Sequence, residues 1–189
     1  MRVISGSARG RTLKAVPGMG TRPTTDKVKE AIFSIIGPYF DGGAVLDLFA
    51  GTGGLGIEAL SRGMDKAVFI DKEYKSIETV RSNLKAAGLE DQAEVYKNDA
   101  ERALKALSKR EAAFDLVFLD PPYRLKIGDA LMKQMDELKL LRRQATVVLE
   151  YESSYIYPDR FGSFTQLRKA EYGETTVSIY VYDQESGSV

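Results

Sequence analysis

The chain of 189 residues is 43% hydrophobic and 29% charged, which is typical of one folded domain with a single core and excludes general disorder. It contains neither cysteine nor histidine, so disulfides, thiolate nucleophiles, Cys/His zinc sites and imidazole bases are excluded. No apolar run reaches the length of a membrane span, and the first residues lack the apolar core of a signal peptide. We therefore expect a cytoplasmic protein.

Charge is distributed unevenly along the chain. The 27 basic and 27 acidic residues balance overall, yet residues 1–30 contain seven basic and two acidic residues, a net charge of +5. A basic N-terminal segment predicts local contact with a polyanion, and a solvated basic terminus is the alternative. The basic residues are Arg2, Arg9, Arg11, Lys14, Arg22, Lys27 and Lys29.

The first 40 residues contain a basic segment followed by a helix. Glycines and arginines interrupt the apolar residues of positions 1–22, which predicts short strands or an arm. Thr24-Thr25-Asp26 predicts the start of a helix within residues 23–40. Phe33 lies off the apolar face of that helix, and packing under the N-terminal segment is favoured over stacking on a nucleobase. The apolar face consists of Val28, Ala31, Ile32, Ile35 and Ile36.

Residues 45–56, VLDLFAGTGGLG, predict a strand, a glycine-rich turn and a helix that begins near Ile57. Such a loop lets a ligand approach bare backbone at a helix N-terminus. The spacing matches the dinucleotide pattern G-x-G-x-x-G, but Asp47 would repel a pyrophosphate and would favour a cationic amino-acid group. S-adenosylmethionine (SAM) carries such a group. A glycine turn without a ligand would leave Asp47 buried without a purpose.

From residue 45 the chain repeats a strand that ends in an acid and is followed by a helix. This alternation predicts an α/β, Rossmann-like fold, with a mostly parallel sheet, helices on both faces and the acids at one sheet edge. Residues 164–172 and 175–182 differ and predict an antiparallel hairpin at one edge of the sheet. We expect a single domain over residues 1–189, with its core at 41–189. The five acids are Asp47, Asp71, Asp99, Asp120 and Glu150.

Two of these acids have the positions expected for contacts with an adenosine group. Asp71 follows Gly51 by twenty residues, a spacing at which an acid accepts hydrogen bonds from ribose hydroxyls. Asp99 ends the third strand, where it would accept from the adenine amine. Capping of the following helix is the alternative for each of the two.

Asp120-Pro121-Pro122-Tyr123 predicts the site of chemistry. Two prolines fix the backbone and remove two N–H donors, so the Asp120 carboxylate and the Pro121 carbonyl can accept from one donor group. Tyr123 adds a flat face. An exocyclic amine of a nucleobase needs these features, because its lone pair is delocalised into the ring.

The DPPY motif, the glycine loop and the N-terminal segments 2–11 and 21–30, in this order and spacing, resemble the RsmD family. The resemblance implies SAM-dependent methylation of the guanine N2 at position 966 of 16S rRNA, with that rRNA or the assembling small subunit as partner and no metal. The implied catalytic residues are Asp120, Pro121, Pro122 and Tyr123. The candidate cofactor-binding residues are Asp47, Phe49, Gly51, Gly53, Asp71, Lys72, Asp99 and Ala100. The candidate substrate-binding residues are Arg2, Arg9, Arg11, Arg22, Thr24 and Lys27.

Two alternatives to this function stay open from the sequence. The first is adenine-N6 methylation of DNA or RNA, which uses the same tetrapeptide. The DNA form is disfavoured because the chain is short and shows no candidate target-recognition domain. The second is a module that binds SAM or NAD without catalysis.

Overall fold

The computed structural model describes residues 1–18, 24–122 and 125–183. The chain divides into two compact units, Met1–Ala100 and Glu101–Val189. The predictions made for Arg22 and Tyr123 lie outside the described residues. Among the described residues, no helix is both long and apolar enough to cross a membrane.

The first unit contains three parallel strands in the order β3-β2-β1. Each strand carries consecutive apolar residues because both faces of a parallel sheet are covered; Val45, Leu46 and Leu48, for example, are all buried. The third helix ends at Gly88, whose φ of 69° is the left-handed conformation typical of a glycine C-cap. The elements are α1 (Asp26–Ile36), β1 (Ala44–Leu48), α2 (Gly54–Ser61), β2 (Lys66–Asp71), α3 (Tyr74–Ala87) and β3 (Ala93–Lys97).

The second unit contains strands in the order β4-β5-β8-β7-β6, of which only β4 and β5 pair in parallel within its described residues. The predicted C-terminal hairpin is confirmed with its turn at Gly173, where φ is 65°. The elements are α4 (Ala100–Lys109), β4 (Phe114–Leu119), α5 (Gly128–Glu137), β5 (Leu141–Glu152), β6 (Arg160–Phe161), β7 (Phe164–Tyr172) and β8 (Thr175–Tyr182).

The N-terminal segment is packed on the first unit rather than extended as a free arm. Its regular structure among the described residues is a single antiparallel bridge between Arg2 and Thr12. The Ser7 and Ala8 amides donate to the carbonyl and hydroxyl oxygens of Ser61 at 2.8 and 2.9 Å. Four apolar side chains of the segment are buried: Val3, Ala8, Leu13 and Val16.

Helix α1 begins as predicted, with the Thr25 hydroxyl accepting from the Val28 amide at 3.3 Å. Its predicted buried face is wrong in part, because the buried side chains are Lys29, Ile32 and Phe33. Phe33 is buried, as expected for a packing role: the ring is 0% exposed and lies under the Arg62 guanidinium at 4.9 Å. The remaining residues of the predicted face are only partly buried.

Several predicted element boundaries are also wrong. Asp47 lies inside β1, which continues to Leu48, and β3 ends at Lys97, two residues before Asp99. Glu150 lies inside β5, which continues to Glu152 because residues 146–152 all pair with β8. Helix α2 begins at Gly54, three residues before the predicted start at Ile57. The left-handed backbone of Gly53, with a φ of 78°, turns the chain directly into the helix.

Candidate functional site

The glycine loop between β1 and α2 forms an open backbone cradle. Gly51 and Gly53 both have left-handed φ values, 57° and 78°. The loop is held by its own backbone, with the Gly53 amide donating to the Ala50 oxygen at 2.8 Å. A Cβ at Gly51 would meet no atom within 4 Å, so a ligand can approach this backbone. The open cradle fits the predicted cofactor-binding role of the loop.

Gly56 brings α2 close to the sheet. A Cβ at this position would lie 2.4 Å from the Phe69 ring and 3.0 Å from Asp47 Oδ2. A Cβ contact of 2.4 Å is essentially never found, so glycine at this position permits the close approach of helix and strand. The third glycine of the G-x-G-x-x-G pattern therefore has a packing role, while the first, Gly51, leaves the cradle open.

Asp47 is 3% exposed, and its Oδ2 accepts a hydrogen bond from the Gly56 amide at 3.0 Å. The expectation that Asp47 would be buried without a purpose unless a ligand were present is therefore wrong. The carboxylate fixes the start of α2, which is a structural reason for a buried acid in an apolar strand. Its contact with a cationic ligand stays a prediction.

Asp71 joins the end of β2 to the glycine loop. Its Oδ2 accepts from the Gly51 amide and its Oδ1 from the Glu73 amide, both at 2.9 Å. The second bond orders the turn into α3, close to the capping role that was the alternative. Because each carboxylate oxygen has two lone pairs, these bonds leave acceptor capacity for ribose hydroxyls.

Phe49 lies at the end of β1 with a φ of 66°, a backbone conformation that costs an aromatic residue about 1–3 kcal/mol and that clusters at functional sites. Its side chain is half-buried. Of the other cofactor candidates, Lys72 and Asp99 are exposed and Ala100 starts α4. The strained Phe49 strengthens the assignment of the loop as a ligand site.

Asn83 is a residue of this region that the sequence analysis missed. It is 0% exposed, and its Nδ2 donates to the carbonyls of Thr52 and Lys14 at 2.9 and 3.0 Å. Its Oδ1 accepts from the Lys14 amide at 2.7 Å. The side chain thus ties the glycine loop to the N-terminal segment. An asparagine on the buried side of an amphipathic helix was the signal available in the sequence.

A second missed group is the buried charge cluster of Lys29, Glu58 and Arg62. Glu58 is 0% exposed, and its two oxygens face Lys29 Nζ at 3.2 Å and Arg62 Nε at 2.8 Å. The same carboxylate accepts from the amides of Ile4 and Ser5 at 2.9 and 3.1 Å. Burial lowers the pKa of Lys29 below its ordinary value of 10.5, although the Glu58 charge opposes this shift. The cluster therefore holds both the N-terminal segment and α1 on α2.

Three of the predicted substrate-binding residues, Arg2, Arg9 and Lys27, line one cleft of about 410 Å³, which we call the basic cleft. The N-terminal segment forms one wall and the first turns of α1 form the other. Two further candidates, Arg11 and Thr24, do not line it. The structure therefore brings together half of the residues selected from sequence.

In the second unit, the Asp120-Pro121-Pro122 segment begins directly after β4. Asp120 is half-buried, Pro121 is buried and Pro122 is exposed. The Leu125 amide donates to the Pro122 carbonyl at 2.8 Å. The segment therefore lies at a strand end, as expected, whereas its rigidity and its contact with a nucleobase stay predictions.

The fold is the Rossmann-like fold of SAM-dependent methyltransferases, as expected from sequence. It is defined by the strand, glycine loop and helix, the parallel strands and the C-terminal antiparallel hairpin. An RNA methyltransferase from Salinibacter ruber, crystallised with S-adenosyl-L-homocysteine, shares this fold with a TM-score of 0.62 and 20% identity, over 86% of this chain and 95% of that one. A conserved hypothetical protein from Streptococcus pyogenes has a TM-score of 0.79 and 40% identity, over 82% of this chain and 96% of that one.

The family model described as "Conserved hypothetical protein 95" matches residues 1–181. The Bacillus subtilis (strain 168) protein YlbH is 56% identical over 180 residues, which cover 95% of this chain and 98% of that protein. Ribosomal RNA small subunit methyltransferase D of Haemophilus influenzae is 33% identical over 183 residues, covering 95% and 93%. The chain belongs to this family, the RsmD family of rRNA methyltransferases, which confirms the resemblance drawn from its motifs.

Proposed function

We propose that the chain transfers a methyl group from SAM to the exocyclic N2 amine of one guanine in small-subunit rRNA, position 966 of 16S rRNA. The observation that carries the proposal is the open backbone cradle at Gly51, which the Asp71 carboxylate fixes to β2. The names of the small-subunit relatives support the choice of rRNA. Such a substrate would place the enzyme in the cytoplasm.

Five residues of the first unit would hold the cofactor. Gly51 and Gly53 would present backbone to its amino-acid portion, and Asp71 would accept from its ribose hydroxyls. Asp47 would face its ammonium group, and Asp99 the adenine amine. When bound, SAM supplies an electrophilic methyl group on a sulfonium centre whose leaving thioether is neutral.

The second unit would hold the base that is methylated. Asp120 and the Pro121 carbonyl would accept from the guanine N2 amine and orient its lone pair for attack. Tyr123 would stack on the flipped base. Pro121 and Pro122 keep this corner rigid because each ring fixes its own φ. The proton lost after alkylation would pass to Asp120 or to water, so no stronger base is needed. In this proposal, residues 1–189 act as one methyltransferase domain.

The same tetrapeptide would also suit an adenine amine. The relatives named for small-subunit rRNA favour an RNA substrate over DNA, but they do not name the base. The base, the atom and the position in the rRNA are therefore the parts of the proposal that need a direct experiment.

The test is incubation of the protein with methyl-labelled SAM and, separately, free rRNA, small subunits lacking the modification, and duplex DNA. Nucleoside analysis of each product identifies the methylated base. N2-methylguanosine in an RNA sample is the expected result. N6-methyladenosine, label in DNA alone, or no transfer to any acceptor despite measured SAM binding would contradict the proposal, and the last result would favour a non-catalytic module.

A further inference from the structure

The basic cleft has the size and the mixed charge of a site for a small polar ligand. Its volume of about 410 Å³ lies within the usual range of ligand sites, about 300–1,000 Å³. Three cations and two carboxylates line it: Arg2, Arg9, Lys27, Asp26 and Glu30. A site for phosphate alone would be weakened by the two carboxylates, so the lining indicates a ligand that has both a negative group and hydrogen-bond donors.

The walls of the cleft are fixed by buried contacts. Lys29 Nζ donates to the Arg2 carbonyl at 2.7 Å, and Glu58 Oε1 accepts from the Ile4 amide at 2.9 Å. Within the N-terminal segment, the Gly10 amide donates to the Val3 carbonyl at 2.8 Å. Both the N-terminal segment and α1 are therefore held on the same buried charge cluster, and the cleft is formed before a ligand arrives.

The charged side chains of the cleft are available for a ligand. Within residues 1–18, 24–122 and 125–183, no hydrogen bond or ion pair engages the side chains of Arg2, Arg9, Lys27 and Glu30. Asp26 is partly engaged, since it accepts from the Arg2 amide at 3.4 Å and lies 4.0 Å from Lys29 Nζ. Glu30 is thus the acceptor that remains for a donor on the ligand.

We propose that the basic cleft binds one unstacked nucleotide of the RNA substrate, with its phosphate on Arg2, Arg9 and Lys27 and its base against Glu30. A carboxylate selects bases that offer an exocyclic amine, such as cytosine through N4, over uracil. Recognition of an unstacked base requires a single-stranded segment, as is usual for RNA. This inference rests on the proposed function and adds a second contact to the RNA, separate from the base that is methylated.

The phosphate contacts are tested by the salt dependence of binding to small-subunit rRNA lacking the modification. Arg9→Ala and Lys27→Ala should each reduce the slope of log affinity against log salt by about 0.7, the value for one single-strand phosphate contact. Lys105→Ala, which removes an exposed lysine of α4, serves as the control and should leave the slope unchanged. Unchanged slopes for both cleft variants, or an equal change in the control, would overturn the proposal.

The base contact is tested with short oligocytidylate and oligouridylate as binding probes. The wild type should bind oligocytidylate about fivefold more tightly, and Glu30→Ala should abolish this preference. Glu101→Ala removes another exposed helical glutamate and should keep it. A wild type without the preference, or a Glu30→Ala variant that retains it, would refute the role of Glu30.

These binding measurements separate the two proposals. If the wild type methylates rRNA while the salt slopes and the base preference are insensitive to the cleft variants, the cleft proposal fails and the proposed function stands. If no RNA is methylated by the wild type, the proposed function fails, and oligonucleotide binding still reports on the cleft by itself.

Discussion

Glu58→Gln tests whether the buried charge cluster holds the first unit together. The substitution keeps the shape of the side chain and removes its charge, so Lys29 and Arg62, 0% and 5% exposed in their side chains, lose their shared counter-charge. Breaking a buried ion pair by removing one partner costs about 3–5 kcal/mol. The amides of Ile4 and Ser5 lose a charged acceptor as well. We expect a loss of about 3–5 kcal/mol in the free energy of unfolding, a large part of the about 5–15 kcal/mol of a typical domain.

The assay for this substitution is urea unfolding followed by circular dichroism, with Glu137→Gln as the matched control. Glu137 is an exposed residue of α5, and its substitution should change the free energy of unfolding by less than about 0.5 kcal/mol. The double variant Lys29→Met, Glu58→Gln should lose less than the sum of the single variants, because it removes two of the three charges together. A loss below about 1 kcal/mol in Glu58→Gln would refute the reasoning.

Three further predictions concern single positions. Gly56→Ala should lower the free energy of unfolding, measured by thermal denaturation, by about 1–3 kcal/mol and should weaken SAM binding, because its Cβ would press on the Phe69 ring. Gly88→Ala is the control, since a Cβ there meets nothing within 4 Å, and it should leave SAM binding intact. Equal SAM affinities in the two variants would contradict the packing role of Gly56. Burial lowers the folded-state pKa of Lys29 below 10.5, so the folded state binds fewer protons, and this lysine should make stability rise with pH from the lowered pKa up to 10.5. Urea unfolding of the wild type and of Lys29→Met across this pH range should show the rise in stability only in the wild type. Identical pH profiles of stability for the two proteins would contradict the lowered pKa of Lys29. Asp120→Ala should nearly abolish methyl transfer while SAM binding, measured by calorimetry, stays largely intact; a comparable loss of cofactor binding would contradict its role toward the base.

The presence of the strands and the hairpin could be predicted from the sequence because they depend on local patterns. Short apolar runs around Asp47 and before Asp71 mark strands by their composition, and Gly173 marks a turn by the backbone conformation that it permits. The glycine loop could be recognised for the same reason. None of these features needs information from a distant part of the chain.

The buried face of α1 could not be predicted in this way. A lysine such as Lys29 is expected at the surface from its residue type. Its burial depends on the carboxylate of Glu58, twenty-nine residues later in the chain. Asn83 likewise bonds to Lys14 and Thr52, which are distant in sequence. The extension of β5 past Glu150 depends on pairing with β8. Long-range polar contacts decided each case, and periodicity does not report them.

The basic cleft is another case in which the sequence predicted the charge of a region but not its geometry. The excess of positive charge in residues 1–30 predicted contact with a polyanion. The sequence did not indicate that Arg2, Arg9 and Lys27 would line one cleft while Arg11 would not. That selection depends on the fold of the N-terminal segment against α1, which the buried charge cluster maintains.

The most direct test of the account is the position and chemistry of the methyl group on the natural substrate. Small subunits lacking the modification are incubated with SAM and either the wild type or Asp120→Ala, and rRNA fragments are analysed by mass spectrometry. The account predicts one new N2-methylguanosine, at position 966, with the wild type and almost none with the variant. A methyl group on adenine, or full activity in Asp120→Ala, would contradict it.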